Sequence, residues 1–87
     1  MWHVYILQTQ SGPLYTGITN DLVRRMKEHQ EGKGSHFTRA FKFSKLLYQR
    51  ACRTRSTALK REAAIKNLTR EEKLKLISTY HNKESVL

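Results

Sequence analysis

Acidic residues are scarce in this chain. Seven Asp and Glu face seventeen Lys and Arg over 87 residues, a formal net charge of +10. Between Glu31 and Glu62 there is no acid at all. A field of this size on so small a chain, with a pI near 10.2, points to nucleic acid or an anionic membrane surface as partner. The membrane is the weaker reading, because no apolar run approaches the ~18 residues that a spanning helix needs. The start, MWHVYIL, carries no basic leader and no small-residue cleavage site, so it does not read as a signal peptide. Cysteine is nearly absent: Cys52 stands alone, which excludes an internal disulfide and agrees with a reducing compartment. No metal-ligand spacing surrounds Cys52, so zinc is not expected, and the residue reads as a small buried apolar group. The expectation is a soluble, intracellular, cytoplasmic protein with no membrane partner. Mean hydropathy is −0.69, so any core is lean, yet Leu, Ile, Val, Tyr and Phe recur throughout and the composition is not that of a disordered chain.

The length fits one domain with one modest core. WHVYILQT is rich in β-formers and reads as a strand. QSGP, which holds the sole proline, is a turn, and LYTGIT is a second strand, so residues 2–18 form a hairpin. Thr19 or Asn20 can cap a helix that runs through Leu22, Val23 and Met26 to about Glu31, where Gly32 and Gly34 stop it. SHFTRAFKFS has no clear period and reads as a loop, and KLLYQRAC as a third strand. A helix over TRSTALKREAAIKNL would be capped by Ser56 or Thr57. Thr69 and Glu72 have the spacing of a capping box and start a last helix carrying Leu74, Leu76 and Ile77. The fold class is therefore α+β. The order is β-β-α-β-α-α, a three-stranded antiparallel sheet flanked by helices, with residues 1–82 as the single domain and 83–87 as a frayed tail.

The acid-free interval contains Lys33, Arg39, Lys42, Lys45, Arg50, Arg53, Arg55, Lys60 and Arg61, with Phe37, Phe41, Phe43 and Tyr48 among them. Cations bind phosphates, and aromatic faces can stack on bases. Some of these aromatics belong to the core. An interval this long without an acid still favours a phosphate-facing surface over a merely solvated one. Arg25 and His29 are four residues apart and share one helix face, while Leu22 and Met26 form an apolar pair beside them. Arg24 is turned by about 100° toward solvent. By spacing alone Arg25 could be an ordinary surface arginine, His29 a histidine that complements the helix C-terminus, and Glu62 a plain helix glutamate with Lys66 at i+4.

These pieces, taken in order, resemble the GIY-YIG nuclease family, and its small single-domain branch in particular. The first signature stands here as His3-Val4-Tyr5 and the second as Tyr15-Thr16-Gly17, with a turn between the two tyrosines. Arg25 and His29 match the helix that follows, and ALKREAAIK places Glu62 where the family has its metal-binding glutamate. The segments TGIT, GKGSHFTRAF and REAAIKNLTREEK are also similar to that branch, so the resemblance covers roughly residues 1–80. Each signature is short, and the ordered set carries the weight. His3 and Val4 depart from the first signature and Thr16 from the second, so position 3 does not need a glycine's backbone freedom.

The resemblance implies metal-dependent hydrolysis of phosphodiester bonds in DNA, with RNA as a second polymer, by a single-metal mechanism. Glu62 would hold one divalent cation, Mg²⁺ or Mn²⁺. Arg25 would stabilise the developing charge. Tyr15, ahead of Tyr5, would orient or deprotonate the attacking water, and His29 would relay a proton or fix a phosphate. Gly17, Lys33, His36, Arg39, Lys42, Arg53, Arg55 and Arg61 would contact nucleic acid. The alternative is a non-catalytic nucleic-acid-binding module on the same fold, and a protein-interaction module ranks last because it leaves the charge unexplained.

Overall fold

The structure, a computed structural model, describes residues 1–33 and 42–85, with side chains through residue 81. The expected order is present: β1 (Trp2–Thr9), β2 (Leu14–Thr19), α1 (Leu22–Gln30), β3 (Phe43–Cys52), α2 (Arg55–Lys66) and α3 (Arg70–Ser85). β1 lies in the middle of an antiparallel sheet of order β2-β1-β3. The hairpin turn is tied by Thr9 N–H to the Pro13 carbonyl at 3.1 Å and by Gly12 N–H to the Thr9 carbonyl at 3.2 Å. Gly12 takes φ +110 there, a conformation that side chains resist.

A central strand covered on both faces needs a continuous apolar run rather than an alternation. Val4, Tyr5, Ile6 and Leu7 are accordingly all fully buried. Successive side chains point to opposite faces, and the two faces do different work. Val4 and Ile6 join Tyr48, Ile65 of α2 and Ile77 of α3 in the core, with Leu14, Ile18, Leu76 and Tyr80 packed around them. Tyr48 and Tyr80 meet edge to face with ring centroids 5.3 Å apart. Tyr5 points the other way, toward α1, where it meets the buried His29.

Several boundaries differ from the sequence expectation. α1 is capped by Asp21, whose side chain accepts from Arg24 N–H at 3.1 Å, while Thr19 Oγ1 accepts from Asp21 N–H one step earlier. α2 is capped by Thr54, ahead of Ser56 and Thr57, with Thr57 N–H donating to Thr54 Oγ1 at 3.1 Å. β3 begins at Phe43, so the end of the stretch read as a loop is strand, and the segment 34–41 within that reading lies outside the described residues. α3 runs to Ser85, into the stretch read as a frayed tail. The Thr69–Glu72 capping box closes as the spacing requires: Thr69 N–H donates to Glu72 Oε1 at 2.9 Å, and Glu72 N–H to Thr69 Oγ1 at 3.1 Å. No helix is long and apolar enough to cross a membrane among the described residues.

Candidate active site

Strand register assembles the site. Tyr5 lies opposite Gly17, and Leu7 opposite Tyr15, so Tyr5, Tyr15 and Gly17 share the face that looks toward α1. Helical spacing puts His29 and Arg25 on the side of α1 that meets them. Tyr5 Oη and His29 Nε2 are 3.0 Å apart in a buried contact. The rings form a triangle, with centroids 6.2 Å apart for Tyr5 and Tyr15, 5.8 Å for Tyr5 and His29, and 5.5 Å for Tyr15 and His29.

Gly17 proves to be a requirement of this triangle. A Cβ at that position would stand 2.6 Å from Tyr5 Oη and 3.0 Å from a ring carbon of Tyr15. The space beside the glycine is filled by the tyrosine hydroxyl.

Electrostatics fixes the protonation of the group. Burial pushes the Tyr5 hydroxyl up to about 12, against the opposing pull of a hydrogen bond from Arg25. Burial, then the Arg25 charge, lowers His29 to about 4, with Glu28 opposing. At neutral pH both are uncharged. A guanidinium can only donate, so the Tyr5 hydroxyl oxygen is the acceptor toward Arg25, and with His29 it shares a proton whose position follows the His29 tautomer. Arg25 is itself desolvated, but its bonds to Tyr5 and Glu28 hold its pKa above the ordinary value. Glu28 Oε1 lies 3.4 Å from Arg25 Nη1. Nothing in the sequence reading singled out Glu28; its i+3 spacing from Arg25 was the available signal.

Glu62 is placed differently. It lies on one stripe of α2 with the buried Ala58 and Ile65, and Ile65 packs on the Val4–Ile6 face of the sheet. Its helix therefore covers the face opposite the tyrosines, packing across β1 and β2. The Glu62 side chain is 18% exposed, with Lys66 Nζ at 3.4 Å from its carboxylate. Among the described residues no group of three or more His, Cys, Asp or Glu is placed to hold a metal. A single hard carboxylate remains a suitable anchor for a cation that keeps most of its waters.

The proposed nucleic-acid contacts are dispersed. Lys33 and Lys42 are exposed beside the end of α1 and the start of β3, with Lys33 Nζ 4.0 Å from Glu31. Arg53 and Arg55 are exposed at the start of α2, and Arg61 is half-buried nearly two turns further on. Arg55 lies over the Trp2 ring at 5.7 Å from its centroid, an unanticipated cation–π contact. Lys60 and Arg61, with Thr57 and Ala64, line a shallow cleft of about 320 Å³. His36 and Arg39 lie outside the described residues. Tyr48, one of the interleaved aromatics, is core and 4% exposed, so it offers no face to a base. A groove of about 410 Å³ between β3 and α3 holds none of the tyrosine cluster.

The profile of the GIY-YIG catalytic domain matches residues 1–75. The chain belongs to the GIY-YIG family. It is 46% identical over 77 residues to UPF0213 proteins of Yersinia pestis (strain Pestoides F) and Yersinia pseudotuberculosis (strain YPIII), a match covering 88% of this chain and 81% of each relative. The solution NMR structure of a UPF0213 protein from Bacillus halodurans is similar at a TM-score of 0.59 and 38% identity, covering 91% of this chain and 85% of that one. Membership in the GIY-YIG family implies a nuclease lineage, the binding of nucleic acid and the general use of a divalent metal.

Proposed function

We propose that this protein is a metal-dependent nuclease that hydrolyses phosphodiester bonds in DNA, with RNA as the second substrate to test. The observation that carries the reading is the buried Tyr5–His29 hydrogen bond beside Tyr15, with the half-buried Arg25 guanidinium near enough to act on both rings, within a sheet whose Gly17 is required to admit it. A core that only needed filling would not spend a histidine and a tyrosine hydroxyl on each other below an arginine.

In this reading Arg25 donates to the phosphoryl oxygens and stabilises the charge that grows on them. Tyr5 stays protonated at neutral pH and fixes the guanidinium from below; its raised pKa makes it a poor base. Tyr15, half-exposed at the mouth of the cluster, orients the attacking water. His29 pairs with the Tyr5 hydroxyl and holds it in place. Glu62 would anchor Mg²⁺ or Mn²⁺, which, when bound, supplies Lewis-acid polarisation of the phosphate and a more acidic water. β2 is an edge strand, with Tyr15 on one face and α2 packed on the other. A phosphodiester lying along that edge would meet Arg25 and Tyr15 from one side and Glu62 from the other. The exposed cations of α2 would hold the flanking phosphates.

The test is incubation of the purified protein with plasmid, branched DNA and RNA, in Mg²⁺, Mn²⁺ or chelator. Metal-dependent cleavage is expected, falling by about 10²–10³ when Arg25 is replaced by alanine, the size typical for losing one transition-state donor. Glu62→Ala should fall at least as far. Cleavage unchanged in both variants sinks this site, and salt-sensitive binding with no cleavage in any metal favours the non-catalytic binder.

A further inference from the structure

Arg25 carries an acid on its own helix, and that acid has no part in the scheme above. Glu28 Oε1 reaches Arg25 Nη1 by a single contact of 3.4 Å, with Arg25 26% and Glu28 37% exposed. The same guanidinium lies near enough to the Tyr5 hydroxyl on its buried side for each to shift the other's pKa. Arg25 is thus held at two points, one internal and one at the surface. The two anchors differ in permanence. The Tyr5 hydroxyl is itself locked against His29 at 3.0 Å. The Glu28 contact is long, one-point and partly hydrated, the kind of i,i+3 pair that contributes little to stability. A phosphate oxygen pair offers the guanidinium a shorter, two-point match. A carboxylate therefore occupies the position that a phosphate would take, and holds it weakly.

We propose that Glu28 is a positioning residue, which holds the Arg25 guanidinium against Tyr5 in the empty site and gives it up to the phosphodiester. This rests on the nuclease reading for the identity of the incoming anion, while the hold on Arg25 stands without it. Glu28 lowers the affinity of the site for any phosphate that cannot displace it, and keeps the arginine aimed until one does.

The experiment compares the full-length protein with Glu28→Gln, and with Glu31→Gln as a control that removes the same charge one position beyond α1. Side-chain NMR of ¹⁵N-labelled arginine reads the Arg25 guanidinium directly. In chelator, with no cleavage, Arg25 rotation about its Cζ–Nε bond is expected to quicken in Glu28→Gln and not in Glu31→Gln. On titration with a short DNA duplex, the Arg25 signals should respond at about threefold lower concentration in Glu28→Gln than in Glu31→Gln. In metal, Glu28→Gln should lower both KM and kcat, a split that a general loss of stability does not produce, and Glu28→Asp should recover part of kcat. Arg25 motion identical in the wild type and Glu28→Gln overturns the proposal, as does a duplex response no earlier than in Glu31→Gln. If the wild type cleaves nothing in any metal, the nuclease reading fails, while the Arg25 signals still decide whether Glu28 holds the arginine.

Discussion

At the scale of single residues, burial decides what each side chain can do. His29 is 1% exposed and its pKa is lowered to about 4, whereas an unfolded histidine titrates near ~6.5. The folded state therefore prefers the neutral ring. That preference is fully expressed above about pH 6.5, is lost as the pH falls toward 4, and contributes on the order of 3 kcal/mol across the window. Urea unfolding should show stability rising between pH 4 and 6.5, and the rise should shrink in His29→Gln. An equal rise in the variant would place the effect elsewhere. Gly17→Ala is expected to destabilise by about 1–3 kcal/mol, the usual cost of overpacking, because the new methyl collides with the Tyr5 hydroxyl at 2.6 Å. In a domain of this size that is a fall in Tm of roughly 4–8 °C per kcal/mol. Double replacement with Tyr5→Phe, which removes the clashing oxygen, should recover part of the loss. If Gly17→Ala melts with the wild type, the glycine is not there for the tyrosine.

At the scale of elements, caps and strand ends show where a sequence can be read and where it misleads. The Thr69–Glu72 box was legible because both partners are set by one fixed spacing, and the structure closes it in both directions. Thr69→Ala should cost about 1 kcal/mol of stability, read by thermal unfolding, and an unchanged midpoint would show the start of α3 to be held by packing alone. The caps of α1 and α2 were less legible because several residues in each stretch have capping side chains. Thr19 or Asn20 was expected to cap α1; the Thr19 hydroxyl instead accepts from Asp21 N–H and leaves Asp21 to accept from Arg24. Thr54 precedes Ser56 and Thr57, and it was chosen by where β3 ends at Cys52. Apolar helix positions behaved in the same way: Ala58 and Ile65 are buried, but Leu59 is 39% exposed and Leu74 45%. Composition marks these as helix residues, and only the sheet beneath decides which face is inside.

At the scale of the whole molecule, topology was legible and the meeting of the site was only half so. Strand parity and helical spacing suffice to bring Tyr5, Tyr15, Gly17, Arg25 and His29 to one face. Neither could tell that Tyr5 and His29 would bond, because that depends on how α1 lies against the sheet. Glu62, far along the chain, was placed by likeness rather than by any local rule, and its helix covers the other face. The charge is the remaining whole-molecule property. A net +10 makes binding to any nucleic acid strongly salt-dependent, since each neutralised phosphate releases counterions and contributes roughly −0.9 to the slope of log K against log salt. If α2 holds flanking phosphates, its exposed Lys60 and half-buried Arg61 should each supply part of that slope. Anisotropy of a labelled duplex in chelator, over a series of salt concentrations, is expected to show Lys60→Ala and Arg61→Ala each making the slope shallower by about 1, with little change in sequence preference. Arg55→Ala should do less, because its guanidinium is already over the Trp2 ring. Slopes equal to the wild type in Lys60→Ala and Arg61→Ala would move the phosphate track off α2 and take away the route by which Glu62 meets the strand.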